Sequence, residues 1–162
     1  MAAIGTVADV VPLLDENRII VHHGLNCLRK FANPGLVHLM RLAKCLDKPR
    51  LEAEDIAFGI GPRLNASGRL GQAQLGVELL TCEIEERAKQ LAEYIDELNK
   101  NRDTLDRKIL RAANKLIKEE HDPETEPGLV LAQPDWHLGV IGIAAGRIAQ
   151  LHHRPTVMIS TD

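Results

Sequence analysis

The sequence has very few aromatic residues, which make up 2% of its 162 residues. They are Phe31, Phe58, Tyr94 and Trp136, so any core must be built mainly from Leu, Ile, Val and Ala. This composition favours helices. Apolar residues of all kinds make up 44%, which is enough to bury the core of one compact domain or two small lobes.

The chain also has few cysteines, a negative net charge and no long apolar run. Cys27, Cys45 and Cys82 lie far apart without a C-x-x-C pair, so they indicate neither a disulfide framework nor a zinc knuckle. A formal net charge of −3 gives no global basic field, although a local basic groove remains compatible with it. No apolar run reaches the roughly 20 residues of a bilayer span, and no basic n-region precedes an apolar h-region at the start. We therefore expect a soluble, cytoplasmic protein with no membrane partner.

The first half of the chain is predicted to be mainly helical. Residues 3–14 are apolar and β-branched, which predicts a buried strand end followed by a loop. Residues 15–31 have apolar side chains at helical spacing and predict an amphipathic helix. Its apolar positions are Ile19, Ile20, His23, Cys27, Leu28 and Phe31. Further helices are predicted at 34–46, 52–58 and 75–80.

The second half is predicted to contain one long helix followed by a βαβ unit. Apolar residues keep a 3–4 rhythm from Ile84 to Leu116, which predicts a helix of roughly 35 residues, about 50 Å long, that bridges two lobes. A strand at 129–132, a helix at 138–151 and a strand at 155–160 follow. One βαβ unit leaves sheet edges unpaired, so this lobe looks truncated. The predicted fold class is α/β and predominantly helical.

Asp9 is a lone carboxylate among apolar residues. An ionised group in such surroundings is costly unless it is paired, hydrogen-bonded or bound to a metal. For an isolated Asp, a capping or turn role is the more common explanation. Local pattern alone leaves both roles open.

Residues 59–69 combine three glycines, a proline, Asn65 and the two arginines Arg63 and Arg69. We interpret this segment as a loop. Glycines let a backbone approach a ligand closely, and arginines can grip phosphate oxygens with two hydrogen bonds. On spacing alone, a phosphate-binding loop and an ordinary interlobe turn with surface arginines are equally plausible.

Residues 135–145 lie where the predicted strand passes into a helix. A helix N-terminus offers free N–H groups to an anion, so one interpretation of this turn is an anion site. The alternative is structural: Trp136 would belong to the core, His137 would cap the helix, and the glycines would serve close packing.

Three strings resemble motifs of the RecJ family of single-stranded-DNA exonucleases, within the DHH phosphoesterase superfamily. Residues 5–13 (GTVADVVPL) resemble the last metal-site motif of the DHH catalytic domain, and residues 61–69 (GPRLNASGR) resemble the R-x-N-A-x-G-R signature. Residues 136–145 (WHLGVIGIAA) resemble the W-H-x-G-V-x-G-I-x-A motif that opens the DHH-associated domain. The three strings follow one another in the family order, and the resemblance covers nearly the whole chain.

The resemblance implies 5′-to-3′ hydrolysis of single-stranded DNA in repair and recombination, with two divalent ions, Mn²⁺ or Mg²⁺, as cofactors. Asp9 would be a catalytic metal ligand. Single-stranded DNA would be the partner, with other repair proteins as further candidates, and the oligomeric state stays open. The implied nucleic-acid contacts are Arg63, Asn65, Arg69, His137 and Gly139.

The resemblance also implies a division of the chain into three parts. Residues 1–81 would be the C-terminal part of the DHH domain, 82–122 the connecting helix, and 123–162 the N-terminal part of the associated domain. The family's paired aspartates, Asp-His-His motif and Gly-Gly-His motif are absent from this sequence. The pair His22-His23 is not an Asp-His-His motif, because Val21 precedes it. We therefore expect a fragment that is inactive alone. Two alternatives are a DHH phosphodiesterase for short oligonucleotides or cyclic dinucleotides, and a non-enzymatic nucleic-acid-binding helical protein.

Overall fold

The computed structural model describes residues 1–28, 30 and 33–161. Within them the chain is mostly helical with one small parallel sheet, which confirms the predicted fold class. The elements are α1 (Ala2–Ala8), α2 (Asp15–Leu28), α3 (Pro34–Leu42), a π-helical segment (Asp55–Ile60), α4 (Gly61–Arg69), α5 (Ala73–Thr81), α6 (Glu85–Glu120), β1 (Leu129–Gln133), α7 (Leu138–His152) and β2 (Thr156–Ser160).

The chain divides into two units, Met1–Asn99 (unit 1) and Lys100–Asp162 (unit 2), so the boundary falls inside α6. The assignment of residues 1–81, 82–122 and 123–162 to family domains stays a prediction. Among the described residues, no helix combines the length and apolar content that crossing a membrane requires.

Unit 1 encloses an aliphatic core between its helices. Asn33 fixes the start of α3 twice: its Oδ1 accepts a hydrogen bond from the Leu36 N–H at 2.9 Å, and its Nδ2 donates to the Leu80 carbonyl at 3.1 Å. Pro34 stands in the first turn of α3, where its missing N–H is harmless. The largest fully buried side chains of this core are Leu36, Leu39, Met40, Ile56, Ile60, Leu79 and Ile95.

The strand end predicted at residues 3–14 is wrong, because residues 2–8 form α1. Ala3, Ile4 and Val7 lie on one helical face and are buried. The backbone of Gly24 in α2 comes so close to Ala3 that a Cβ at Gly24 would overlap the Ala3 Cβ. Close helix packing therefore overrides the strand preference of the β-branched residues.

The helix predicted at residues 15–31 is present as α2, although its apolar face was misassigned. Ile19 is 59% exposed and Ile20 is 40% exposed, whereas Val21 and Leu28 are buried. His23 and Cys27 are exposed as well. The buried side of α2 is the side that packs against α1. The predicted end, Phe31, lies outside the described residues.

The loop predicted at residues 59–69 is also wrong, because the chain is helical there. The helix predicted at 52–58 is the π-helical segment, and it continues directly into α4. Pro62 occupies the first turn of α4, where proline is tolerated. A Cβ at Gly61 would stand 3.2 Å from the Ala8 Cβ, so this glycine permits close contact between α4 and α1.

Unit 2 contains the C-terminal part of α6 and the βαβ unit, and both predictions are confirmed. The helix α6 has 36 residues, and β1 pairs in parallel with β2 from Leu129↔Thr156 to Gln133↔Ser160. Asp135, in the turn between β1 and α7, has a left-handed backbone with φ 63°. Buried apolar residues of this unit are Ile109, Ala113, Ile117, Leu129, Leu131, Val140, Ala144 and Ile148.

Candidate nucleic-acid interface

An open groove of about 650 Å³ runs between α1, α4 and α5 in unit 1. It brings together three of the predicted site residues, Asp9, Asn65 and Arg69. Most other lining residues are small, and no described atom lies within 4 Å of where a Cβ would stand on Gly5 or Gly68. A ligand can therefore approach the helix backbones closely. The remaining lining residues are Ala8, Leu64, Ser67, Ala73, Gly76, Val77 and Leu80.

Asp9 stands at the C-terminal end of α1. Its backbone N–H donates to the Gly5 carbonyl at 3.0 Å, and its side chain is exposed. Carbonyl groups give a helix C-terminus a partial negative charge, which makes a carboxylate unfavourable there. A cation bound by Asp9 would relieve this repulsion. The position is therefore suited to a metal ligand at the edge of the groove.

Asn65 and Arg69 lie four residues apart on α4 and so share one face of the helix. Both are exposed. Arg69 is in the last turn of α4, where a positive charge interacts favourably with the helix dipole. The Ser67 hydroxyl donates to the Leu64 carbonyl at 2.7 Å, and a Cβ on Gly76 of α5 would stand 3.3 Å from this hydroxyl. The tight contact with α5 helps to fix which face of α4 lines the groove.

Arg63 is the predicted contact of unit 1 that does not line the groove. Its Nε donates to Asp96 Oδ1 at 2.8 Å, its Nη1 to the Gly59 carbonyl at 2.7 Å, and its Nη2 to the Leu42 carbonyl at 3.2 Å. The guanidinium is thus committed to three acceptors inside unit 1. Sequence reasoning missed Asp96, because it lies 33 residues away in an ordinary amphipathic helix and no local motif marks it.

His137 and Gly139 are found at the start of α7, in unit 2. His137 is the N-cap residue, and its Nδ1 accepts a hydrogen bond from the Gly139 N–H at 3.1 Å. Trp136 is 5% exposed and belongs to the core. Both features match the structural alternative of the sequence analysis. A phosphate contact at this N-terminus would have to displace or share the His137 cap, and it stays a prediction.

A second open cavity of about 650 Å³ lies beside this N-terminus in unit 2. The carboxylate residue Asp135 is among its lining residues, and it would repel a phosphate placed near it. The unit 1 groove also has a lining carboxylate, Asp9, but it adds the guanidinium of Arg69, which makes it better suited to an anion than this cavity. Its other lining residues are Leu105, Trp136, His137, Leu138 and Ser160.

The described residues contain no group of three or more His, Cys, Asp or Glu side chains placed to hold a metal ion. Carboxylate oxygen is a preferred ligand of Mg²⁺ and Mn²⁺, so Asp9 fits as a single ligand. The described part of the chain does not build a complete metal centre around it.

Comparison with known proteins identifies the family. No protein-family model matches the sequence. The single-stranded-DNA-specific exonuclease RecJ of Escherichia coli K12 is 41% identical over 160 residues, which cover 97% of this chain and 28% of the E. coli protein. The chain belongs to the RecJ family. It spans about a quarter of the length of this curated relative.

Solved RecJ structures share the fold. RecJ of Thermus thermophilus in complex with Mg²⁺ matches with a TM-score of 0.86 and 34% identity over 98% of this chain and 24% of that one. The same protein in complex with Mn²⁺ gives 0.85 and 36%, again over 98% of this chain and 23% of that one. The RecJ resemblance of the three sequence strings is thereby confirmed, while the roles of individual residues stay predictions.

Proposed function

We propose that this chain forms a strand-binding part of an exonuclease specific for single-stranded DNA. The observation that carries the proposal is the unit 1 groove, where a carboxylate, an amide and a guanidinium meet between walls of small residues. The specificity named for the E. coli relative supports it. The guanidinium and amide that line this groove can follow the backbone of a single strand.

In this proposal Asn65 and Arg69 hold the strand. The Arg69 guanidinium can donate two hydrogen bonds to one phosphate, and the Asn65 amide can donate to a phosphate or accept from a sugar or base. Their common face on α4 presents both groups to the same groove. In unit 2, His137 and Gly139 would make a second contact with the strand.

Asp9 would supply one ligand of a divalent cation, Mg²⁺ or Mn²⁺. The relatives whose structures contain these ions support this assignment. When bound, such an ion would polarise the scissile phosphodiester and activate a water molecule. The contribution of this chain is a carboxylate oxygen at the edge of the groove, close to where Asn65 and Arg69 would hold the strand.

Several further properties are proposed from family membership alone. They are 5′-to-3′ polarity, a role in DNA repair and recombination, a cytoplasmic location, and partners among other repair proteins. Residues 1–81, 82–122 and 123–162 would correspond to the end of the DHH domain, its connecting helix and the start of the DHH-associated domain.

Strand binding can be tested on the chain itself. Fluorescence anisotropy with a 5′-phosphorylated single-stranded oligonucleotide should give about tenfold weaker binding for Arg69→Ala, since a hydrogen bond to a charged group contributes about 1.5 kcal/mol. The slope of log K against log salt should fall by about 0.7, as expected when one phosphate contact to a single strand is lost. Arg18→Ala, which removes the same charge from an exposed position outside the groove lining, is the control. Equal effects of the two substitutions would remove Arg69 from the strand path.

Cleavage needs a different design, because the described residues hold no complete metal centre. This segment can replace the matching segment of E. coli RecJ, and Mn²⁺-dependent release of mononucleotides can be measured. We expect Asp9→Ala to lower the rate by at least about a thousandfold, while binding of the strand persists. The isolated chain should release nothing. Mononucleotide release by the isolated chain would show that its own residues suffice, and preferential hydrolysis of cyclic dinucleotides would favour the other branch of the superfamily.

A further inference from the structure

A largely buried ion pair inside unit 1 joins Arg63 of α4 to Asp96 of α6. The side chains are 17% and 8% exposed, so both charges are largely removed from water. An ion pair in such surroundings persists only when its hydrogen bonds are well made, and removal of one partner leaves a costly uncompensated charge. The 2.8 Å contact between Arg63 Nε and Asp96 Oδ1 meets this requirement.

Arg63 also joins two backbone segments to this pair. Leu42 is the last residue of α3, where a helix leaves its carbonyl groups without intrahelical partners, and Arg63 Nη2 donates to this carbonyl. Gly59 lies within the π-helical segment, and Arg63 Nη1 donates to its carbonyl. One guanidinium thus connects the end of α3, the π-helical segment and α6.

The π-helical segment determines how α4 is rotated. It runs into α4 without an intervening turn. A π-helix holds an extra residue relative to an α-helix, and one residue corresponds to about 100° of rotation at 3.6 residues per turn. If residues 55–60 relaxed to α-helical geometry, Asn65 and Arg69 would turn away from the groove. Whatever stabilises this junction therefore controls the face that α4 presents.

We propose that Asp96 and Arg63 form a positioning pair for the strand-binding groove. Asp96 orients the guanidinium, and the guanidinium fixes the π-to-α junction that turns Asn65 and Arg69 into the groove. Neither residue touches the DNA in this assignment, which replaces the direct strand contact predicted for Arg63. The effect of this pair on strand binding rests on the proposed function of the groove. Its effect on the position of α4 does not.

The first test measures single-strand binding of the whole chain with Asp96→Asn. Loss of a negative charge should by itself favour DNA binding, yet we expect about fivefold to tenfold weaker binding, because α4 is released. The salt slope should stay at the wild-type value, because the variant lowers the fraction of chains whose α4 is correctly turned, while the bound state keeps every phosphate contact. Glu97→Gln is the matched control: it removes the same charge from the next residue, which is exposed. If Asp96→Asn binds like Glu97→Gln while Arg69→Ala is weakened, the positioning pair is wrong and the proposed function stands.

Arg63→Lys separates positioning from direct contact, because lysine keeps the charge and loses the planar set of donors. Positioning predicts that it binds as weakly as Asp96→Asn with an unchanged salt slope. Near-wild-type binding by Arg63→Lys would contradict it, since a point charge would then suffice.

A second measurement needs no DNA. Hydrogen exchange of the amides in residues 55–69 should become about tenfold faster in Asp96→Asn and Arg63→Lys, relative to α7 in the same molecule, and stay unchanged in Glu97→Gln. Unchanged exchange in both variants would overturn the inference. If exchange rises as expected but wild-type chain and all variants fail to bind single strands, the pair stands and the proposed function of the groove falls.

Discussion

Three helical glycines of unit 1 and two of unit 2 have opposite surroundings. In unit 1, Gly24, Gly35 and Gly61 lie directly against neighbouring helices, so that a Cβ on any of them would contact another element closely. In unit 2, Gly142 and Gly146 of α7 have no described atom within 4 Å of the Cβ position. Each helical glycine costs about 1 kcal/mol relative to alanine. Close packing offsets this cost at Gly24, Gly35 and Gly61, whereas Gly5 and Gly68 of unit 1 stay open and line the groove. For Gly142 and Gly146 the described residues show no such compensation.

Substitution of Gly35 should produce the largest effect on stability. A Cβ at this position would overlap the carbonyl oxygen of Leu79 and come within 2.8 Å of its carbonyl carbon. Backbone atoms cannot rotate away, so α3 would have to move from α5. We expect Gly35→Ala to lower the free energy of unfolding by about 3 kcal/mol, measured by urea denaturation followed by circular dichroism.

Gly146→Ala is the matched control in unit 2. The added methyl group meets no described atom, and alanine is the better helix former, so the unfolding free energy should rise by up to about 1 kcal/mol. Opposite signs for Gly35→Ala and Gly146→Ala would sharpen the contrast between the units. Destabilisation by Gly146→Ala would break it and would indicate that this face of α7 is packed against another group.

The same contrast explains which parts of the fold the sequence could predict. The helix α6 and the βαβ unit follow from local signals: the 3–4 apolar rhythm, two short apolar runs and the prolines between them. In unit 1 the signals at residues 3–14 and 59–69 mislead, because Gly61 and Pro62 serve packing and helix initiation and do not form a loop. Glycine and proline predict a loop only where neither helix packing nor helix initiation requires them.

The candidate site shows the same limit. Asp9, Asn65 and Arg69 were predicted from motifs, and the structure brings them to one groove. The same motif predicts a DNA contact for Arg63. Its partner in the structure, Asp96, lies 33 residues away on another helix, where no local pattern indicates it. The residue type alone indicates that the Arg63 guanidinium binds an anion. Only tertiary structure identifies that anion as a buried carboxylate of the same chain.

Buried carboxylates give a second comparison. Asp55 in unit 1 accepts hydrogen bonds from Lys48 Nζ and from the Glu52 N–H at 3.0 Å. Asp106 in unit 2 is fully buried and lies 2.7 Å from Arg147 Nη1, but neither of its oxygens has a well-aligned hydrogen bond to a described residue. The unit 2 carboxylate therefore depends on one ion pair, and the unit 1 carboxylate on two donors.

Removal of Arg147 should thus have the next largest effect. Arg147→Ala leaves the charge of Asp106 buried without compensation, and we expect a loss of about 2 kcal/mol in unfolding free energy. The double variant Asp106→Leu with Arg147→Ala should recover most of it, because no buried charge remains. A double variant no more stable than Arg147→Ala would show that the pair matters for packing and not for charge compensation.

The smallest effect concerns pH. Burial raises the pKa of Asp55, but the hydrogen bonds from Lys48 and the Glu52 N–H outweigh it and leave the pKa below its ordinary value. A depressed folded-state pKa stabilises the protein above the unfolded-state pKa, and this stability is lost as pH falls from about 4 through the folded-state value. Asp55→Asn should cost about 1 kcal/mol at pH 7, and the difference from wild type should shrink as urea midpoints are measured down to pH 2.

In unit 2, the hydrogen bond from His121 and then that from the Asp122 N–H lower the pKa of Glu126, whose side chain is one-third exposed. Because the pKa of Glu126 is lowered, as that of Asp55 is, the stability that Glu126 contributes is also lost as the pH falls through its folded-state pKa. Water screens this half-buried pair more than it screens the buried Asp55, so Glu126→Gln should shift the pH 7 midpoint less than Asp55→Asn does. An equal shift would mean that burial adds nothing to the Asp55 interaction.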